Sequence, residues 1–222
     1  MAGTALNPEG QALQTLLQSL LPAAAACRVQ ALADTPLSTL WPAEAAASHS
    51  WHPRRQVEFA AGRHAARAVL AALGQAACDL PPGPQRVPAW PPGVCLSLTH
   101  TDGWALAAGL PAPPWQALGL DLAQLKPYAP GVVERILHPL ECDAQARWPA
   151  ALSFCIKEAV YKAQWTLSQA WMDFHDVVLV IEPGRFSAKV VGGRSHPWPL
   201  GHCFEGRWVL NDRHVLAVAL IP

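Results

Sequence analysis

Proline and glycine constrain the fold of this chain more than any other feature. The chain has 22 prolines and 15 glycines in 222 residues, and both residue types end helices and strands, so the elements between them have to be short. Hydrophobic residues make up 51% of the sequence and charged residues only 14%, which is typical of a globular protein with a well-buried core. The length allows one large domain or two small ones.

Hydrophobic patterns between these breaks predict both helices and strands. Helices are expected over residues 13–26, 56–73 and 150–167, with a further helical stretch around residues 141–147. Strands are expected over residues 116–122, 177–182, 188–191, 202–208 and 214–220, and a hairpin over residues 94–108 with its turn at Asp102-Gly103. Two proline-rich connectors separate these elements, residues 81–92 and 110–115. The second connector is the expected boundary between two domains, residues 1–112 and 113–222.

The helix predicted over residues 150–167 places a carboxylate on an otherwise apolar stripe. Glu158 lies one turn from Lys162 and shares its stripe with Phe154, Tyr161 and Trp165. A partly buried carboxylate needs a metal ion, a cation or a raised pKa to be tolerated. The plain alternative is a Glu-to-Lys pair on a solvated helix face, the commonest reason for this spacing.

Two other segments supply polar groups that can work with this helix. Asp121 ends a short buried strand, which delivers its carboxylate to a sheet edge. Thr99 and His100 are expected at the tip of the hairpin, where a hydroxyl, an imidazole and backbone donors can bind a phosphate. A histidine on the surface of a hairpin is the alternative for His100.

These segments, in this order, resemble a known family. The set Gly62-Arg63, Ser97-Leu98-Thr99-His100, Gly119-Leu120-Asp121 and Phe154-x-x-Lys157-Glu158-Ala159-x-Tyr161-Lys162 is similar to the 4'-phosphopantetheinyl transferases, in particular the monomeric branch of enterobactin synthetase component D and surfactin-type enzymes. The resemblance runs from about residue 54 to about residue 170. It implies an α+β fold of two similar subdomains related by a pseudo-twofold axis, with coenzyme A bound between them.

The resemblance also implies an activity. The enzyme would move 4'-phosphopantetheine from coenzyme A to a serine of an acyl or peptidyl carrier protein, with Mg²⁺ as cofactor and coenzyme A as donor substrate. Attack at a phosphorus requires charge neutralisation, and Asp121 and Glu158 are the carboxylates available to hold Mg²⁺. Glu158 is also a candidate base for the serine proton, and Lys162 a candidate catalytic cation for the diphosphate and the departing 3',5'-ADP. The expected coenzyme ligands are Arg54, Arg63, Arg86, Thr99, His100, Lys157 and Lys162.

One position departs from the family pattern. Bacterial members commonly have Asp-x-Glu where this chain has Asp121-Leu122-Ala123, and Ala123 cannot bind a metal. Alternation along a strand puts positions 121 and 123 on the same face. We therefore expect one fewer protein ligand and weaker metal binding with activity retained, because Mg²⁺ accepts water in its coordination sphere. A non-catalytic module that binds coenzyme A or a carrier, and a phosphohydrolase that cleaves coenzyme A with water, are the alternatives.

Charge and composition exclude other classes of protein. A formal net charge of zero argues against nucleic-acid binding, which requires a basic surface. No apolar run reaches the roughly 20 residues needed to cross a bilayer, and no basic residue precedes the apolar residues 13–26, so we interpret them as a helix rather than a signal peptide. We expect a cytoplasmic monomer with structural thiols. Trp165 and Trp171 are candidates for a carrier-docking surface, with complementary charge from Lys126, Arg135 or Arg147.

Overall fold

The computed structural model describes residues 6–83, 87–88, 90–101, 103–141, 147–193 and 195–222. Contacts divide the chain into two compact units, Met1–Pro114 and Trp115–Pro222. The boundary falls inside the second proline-rich connector, next to the division after residue 112 that the sequence suggests. In the described residues, no helix is both long enough and apolar enough to cross a membrane.

The N-terminal unit combines three helices with a small antiparallel sheet. Its elements are α1 (Pro8–Leu20), β1 (Ala26–Ala31), a 3₁₀ turn (Leu37–Thr39), α2 (Pro42–Ser48), α3 (Pro53–Ala72), β2 (Val94–Thr101) and β3 (Trp104–Pro111). A proline stands at the start of each helix, where its missing N–H leaves no bond unmade. The strand order is β1-β3-β2.

Helix α3 covers one face of this sheet. Val69 and Leu70 of the helix pack in one core cluster with Leu96 of β2 and Ala107 of β3. Leu98 also lies on this face, because a Cβ added at Gly62 of α3 would be 3.7 Å from its side chain. Side chains alternate along a strand, so His100, two residues after Leu98, points to the same side.

The C-terminal unit is one long helix packed on a five-stranded antiparallel sheet. Its elements are β4 (Ala117–Gln124), α4 (Pro130–Ile136), a 3₁₀ turn (Pro139–Glu141), α5 (Ala150–Ser168), a 3₁₀ turn (Phe174–Asp176), β5 (Val177–Glu182), β6 (Arg185–Val190), β7 (Cys203–Leu210) and β8 (His214–Ile221). The strand order is β4-β8-β7-β6-β5. Leu152, Ile156 and Val160 of α5 are fully buried in the core cluster.

The two units share a connectivity. Each has a first strand, then a long helix, then a closing antiparallel hairpin whose last strand lies beside the first strand: β1, α3 and β2-β3 in one unit, β4, α5 and β7-β8 in the other. The C-terminal unit adds β5 and β6 at the edge of its sheet. The predicted α+β fold class is confirmed.

Two features of the N-terminal unit differ from the prediction. The helix predicted over residues 13–26 is wrong in its second half: α1 ends at Leu20 and Ala26 begins strand β1, because Pro22 interrupts the apolar run. Strand β1 carries the polar residues Arg28 and Gln30, and its six residues are too few for their apolar and polar alternation to predict a strand.

The five described cysteines, at positions 27, 78, 95, 155 and 203, are free thiols.

Candidate active site

Gly119 lets helix α5 approach strand β4 more closely than any larger residue would allow. A Cβ at this position would lie 1.8 Å from the carbonyl oxygen of Ala159 and 2.6 Å from the backbone nitrogen of Ala163. Asp121 lies two residues further along β4 and therefore on the same face of the sheet. The close approach places the Asp121 carboxylate against the stretch of α5 that carries Glu158 and Lys162.

Lys162 is paired directly with Asp121. Its Nζ donates hydrogen bonds to Oδ1 of Asp121 at 2.7 Å and to the carbonyl oxygen of Leu120 at 3.0 Å. The Asp121 side chain is 8% exposed and that of Lys162 is 27% exposed. A pair this close and largely shielded from water is much stronger than a surface ion pair. The alternative of a solvated Glu158–Lys162 pair does not fit, since Lys162 pairs with Asp121.

Glu158 has no such partner. Within the residues that the structure describes, its carboxylate forms no hydrogen bond or ion pair, although it is only partly exposed. Burial raises the pKa of Glu158, and the nearby Asp121 charge raises it further against an opposing effect of Lys162. A carboxylate that is partly buried beside a second carboxylate is electrostatically suited to receive a cation.

The two carboxylates fit a magnesium ion. No group of three or more His, Cys, Asp or Glu side chains that could hold a metal occurs within the described ranges, and Ala123 is buried without a ligating group. Mg²⁺, however, is usually held by one or two carboxylates, with waters and substrate phosphates as its other ligands. Asp121 and Glu158 supply that number, and the unpartnered state of Glu158 is the observation that favours a cation there.

A pocket opens beside Glu158. It has a volume of about 530 Å³, and its lining includes Glu158, Tyr161, Trp171 and Arg135. The Tyr161 ring lies 5.6 Å from that of Trp171, at 65°, and the Trp171 side chain is 62% exposed. The pocket therefore offers an apolar wall next to the candidate metal ligand.

Lys157 lines the same pocket, but its ammonium is bonded to acceptors inside the C-terminal unit. Its ammonium donates to Glu141 Oε2 at 2.8 Å, to the carbonyl oxygen of Ile136 at 2.8 Å and to that of Phe174 at 2.9 Å. Its side chain is 1% exposed, and burial lowers its pKa despite the opposing Glu141 charge. All three donors are used, so a coenzyme-binding role for Lys157 does not fit this geometry.

A second cluster of charged groups lies in the N-terminal unit, where α3 faces the end of β2. His100 contacts the Arg55 guanidinium through Nε2, and Glu58 accepts from Arg55 at 3.2 Å and from Arg54 at 3.1 Å. Glu58 keeps a lowered pKa: burial raises it, but His100, Arg55 and Arg54 together outweigh that effect. The Arg54 side chain is 70% exposed. Two guanidinium groups meet one carboxylate here, so this cluster carries net positive charge.

Thr99 does not share this cluster. Both Thr99 and His100 belong to strand β2 rather than to the turn, which corrects the expected placement at the hairpin tip. Alternation directs Thr99 to the opposite face of the sheet from His100, and Thr99 is buried. One phosphate bound at the His100 side chain would not reach the Thr99 hydroxyl.

The contacts of Arg63 also do not fit binding of a phosphate. Its Nε donates to the carbonyl oxygen of Leu80 at 2.6 Å, and its guanidinium lies 4.1 Å from the centre of the Phe59 ring. Burial lowers the pKa of Arg63 to about 10, with Glu44 opposing the shift. Only 3% of the residue is exposed, so the predicted phosphate contact does not fit. Arg86, another predicted ligand, lies outside the described residues.

Comparison with known proteins shows which family the chain belongs to. The model of the 4'-phosphopantetheinyl transferase superfamily matches residues 117–219, and that of the 4'-phosphopantetheinyl transferase N-terminal domain matches residues 42–109. The 4'-phosphopantetheinyl transferase Svp of Streptomyces mobaraensis is 35% identical over 204 residues, covering 85% of this chain and 81% of that protein. The chain belongs to the 4'-phosphopantetheinyl transferase superfamily. It is an enzyme of that family.

Two further relatives support the assignment. The 4'-phosphopantetheinyl transferase Npt of Nocardia iowensis is 32% identical, with 73% of this chain and 81% of that protein covered. The 4'-phosphopantetheinyl transferase PptT of Mycobacterium tuberculosis is 30% identical, with 93% of this chain and 98% of that protein covered. Members of the family use coenzyme A as donor and act on carrier proteins.

Sequence reasoning missed two residues of this transferase that the geometry brings forward. Arg55 is not among the coenzyme ligands expected from the sequence, yet it contacts His100. Glu141 was not considered, yet it holds Lys157 and accepts from the backbone of Leu179 at 2.6 Å and of His138 at 2.8 Å. Arg55 and Glu58 are three residues apart on one helix face, and this spacing could have predicted their ion pair. No pattern around Glu141 predicts its pairing with Lys157.

Proposed function

We propose that this transferase moves 4'-phosphopantetheine from coenzyme A to a serine hydroxyl of an acyl or peptidyl carrier protein, depends on Mg²⁺, and releases 3',5'-ADP. The observation that carries the proposal is the set of three charged groups where α5 meets β4. Asp121 and Glu158 form a two-carboxylate site for the metal, with Lys162 at 2.7 Å from Asp121 as the adjoining cation. Phosphoryl chemistry needs this combination of carboxylates and a cation.

The reaction is a displacement at phosphorus. The serine oxygen forms a bond to the phosphorus that carries the pantetheine arm, and the bond from that phosphorus to the bridging oxygen of the diphosphate breaks. The serine proton goes to a base, and 3',5'-ADP departs with the bridging oxygen. Bound Mg²⁺ supplies charge neutralisation on the diphosphate oxygens. The rest of the work falls to residues that take the proton, stabilise the leaving group and position the substrates.

Glu158 is the proposed base as well as a metal ligand. Burial and the Asp121 charge raise its pKa, which brings the carboxylate closer to the range in which a base works best at neutral pH. Lys162 stabilises the leaving group, because its ammonium is partly exposed at the same carboxylates. The pocket beside Glu158 is the proposed site of the pantetheine arm, where the rings of Tyr161 and Trp171 provide apolar contact.

The His100 cluster is a proposed binding site for a coenzyme phosphate. The His100 imidazole and the guanidinium of Arg55 meet there, and arginine binds phosphate with two parallel hydrogen bonds. Arg54 is a further proposed ligand, since its side chain is exposed at the same helix turn. Glu58 orients both arginines.

Trp171 and Arg135 are the proposed carrier-docking residues. Both line the pocket, and Trp171 is exposed over 62% of its side chain. Val132 on α4 is exposed as well, at 45%, so apolar and basic groups stand next to each other. Such a combination suits an acidic carrier helix with an apolar face.

The proposal is tested by following both products. Apo carrier protein is incubated with the transferase, coenzyme A and Mg²⁺, and 3',5'-ADP is measured by chromatography while the carrier is weighed by mass spectrometry. We expect equal amounts of 3',5'-ADP and modified carrier, no reaction in EDTA, and recovery when Mg²⁺ is restored. A carrier with its acceptor serine replaced by alanine is the control. Release of 3',5'-ADP with that carrier would show hydrolysis of coenzyme A instead of transfer.

A further inference from the structure

Lys162 occupies the carboxylate that the proposed metal site needs. Its ammonium lies 2.7 Å from Asp121 Oδ1 and is tied to the same strand by the carbonyl oxygen of Leu120 at 3.0 Å. The nearby Glu158 carboxylate forms no ion pair with any described residue. The ammonium is therefore the counter-cation of Asp121, whereas Glu158 feels Lys162 only as a nearby charge and forms no ion pair within the described ranges.

A divalent ion and this ammonium compete for Asp121. The Lys162 nitrogen lies 2.7 Å from Asp121 Oδ1, so an ion held by the same carboxylate would lie close to this ammonium in its present place. Two cations this close repel each other strongly, since the Asp121 side chain is 8% exposed and poorly screened by water. Either the metal stays weakly bound or the ammonium moves.

The Lys162 side chain is able to move. It is 27% exposed, its stem is flexible, and its contacts at this point are to Asp121 and Leu120. Lys157, five residues before Lys162 on α5, provides the contrast. Its side chain is 1% exposed and is held by three acceptors. Of these two lysines on α5, only Lys162 has a path to solvent.

We propose that Lys162 blocks the metal site in the free transferase and has to leave Asp121 before a divalent ion binds tightly. This inference rests on the proposed function, because it assumes that Asp121 and Glu158 hold the ion. Its consequence is that the ammonium which leaves Asp121 becomes available to an anion, so metal uptake and diphosphate binding favour each other. Such coupling is reciprocal.

The test measures metal affinity in the absence of coenzyme. Mn²⁺ is titrated into the full-length protein and the free ion is followed by electron paramagnetic resonance. Lys162→Met removes the charge and Lys162→Gln repeats the test with a polar side chain of similar length, while Lys162→Arg keeps the charge. Lys126→Met, at an exposed site of the same unit, is the matched control, and thermal melting verifies that each variant is folded.

We expect Lys162→Met and Lys162→Gln to bind Mn²⁺ roughly tenfold more tightly than the wild type, within the usual range of coupling between two ligands. Lys162→Arg and Lys126→Met should bind as weakly as the wild type, and adding Glu158→Gln to Lys162→Met should remove the gain. Equal or weaker binding by both neutral variants overturns the inference, and so does a gain that survives Glu158→Gln. Failure of the wild type to modify any acyl or peptidyl carrier, with these Mn²⁺ affinities as expected, would instead count against the proposed function.

Discussion

Three charged residues on helix α5 have three different environments. Lys157 is buried and saturated by three acceptors, Glu158 has a raised pKa and no ion-pair partner in the described part of the chain, and Lys162 is paired with Asp121. Two lysines of one helix therefore differ in what they contact: Lys157 pairs with buried Glu141 and Lys162 with Asp121. Each environment gives a different expectation for substitution.

Glu158→Gln should stabilise the transferase at neutral pH. Burial raises the pKa of Glu158, so the folded protein keeps the proton to a higher pH than the unfolded chain, whose glutamate pKa is about 4.3. Stability is therefore lost as pH rises from the unfolded value through the folded one. The amide removes this loss, so we expect the midpoint of thermal unfolding to rise at pH 7, by about 2–4 °C for each 1 kcal/mol gained in a chain of this size.

The same comparison at acidic pH checks the cause. Below the unfolded pKa the wild-type carboxyl is protonated in both states, so the gain from Glu158→Gln should shrink towards zero at about pH 4. Glu205→Gln, at an exposed position of β7, should change the midpoint little at either pH. A gain of equal size at both pH values would mean that a buried charge is not its origin.

Lys157→Met should destabilise the protein rather than weaken coenzyme binding. The substitution leaves the Glu141 carboxylate buried without its ammonium partner, which costs about 3–5 kcal/mol for a buried pair. Chemical denaturation measures this loss, and Lys189→Met, at an exposed position of β6, should stay within about 0.5 kcal/mol of the wild type. Normal stability with a large loss of coenzyme affinity would restore Lys157 as a phosphate ligand.

At the scale of elements, the site depends on how closely α5 lies against β4. Gly119 sets that approach because even a methyl group would meet the Ala159 backbone. Asp121 is 37 positions from Glu158 and 41 from Lys162 in the sequence, so the contact is made by packing of a helix on a sheet and not by local chain geometry. Disturbing the packing should therefore disturb the site.

Gly119→Ala should lower both stability and activity. The added Cβ would lie 1.8 Å from the Ala159 carbonyl oxygen, and backbone atoms cannot yield as a flexible side chain can, so we expect a loss of about 3 kcal/mol or more. Gly131→Ala in α4 is the matched control, since no atom lies within 4 Å of its added Cβ. It should be neutral or up to about 1 kcal/mol more stable. Denaturation midpoints and carrier modification are the measurements, and a stable, fully active Gly119→Ala protein would contradict this account of the site.

At the scale of the whole molecule, the sequence predicts the fold class, and the structure brings the three candidate residues of the C-terminal unit together. Asp121, Glu158 and Lys162 stand in strong local patterns, a buried strand and an apolar helix, which fix their faces. Arg63 and Lys157 have structural partners that the sequence does not predict, because Leu80 and Glu141 are 17 and 16 residues away and no local pattern points to them. Strand β2 continues to Thr101, so Thr99 and His100 both lie within the strand. Their side chains therefore point to opposite faces of the sheet.

Trp171→Ala should weaken recognition of the carrier. Trp171 is 62% exposed and lines the pocket beside Glu158, and loss of an aromatic contact at an interface of this kind should raise the KM for the carrier about tenfold. Steady-state kinetics with varied carrier gives the value. Leu200→Ala, at a residue that is 73% exposed, should leave this KM unchanged. An unchanged KM for Trp171→Ala would remove this surface from the docking proposal.

Asp121 and Glu158 are the two carboxylates proposed to serve the transfer of phosphopantetheine to a carrier. Intact-mass spectrometry of an apo carrier, incubated with the transferase, coenzyme A and Mg²⁺, tests it most directly. The wild type should add about 340 Da, the mass of one phosphopantetheine group, whereas Asp121→Asn and Glu158→Gln should add none in the same time, because each removes one of the two metal carboxylates. Full modification by both variants, or no modification of any acyl or peptidyl carrier by the wild type, would contradict it.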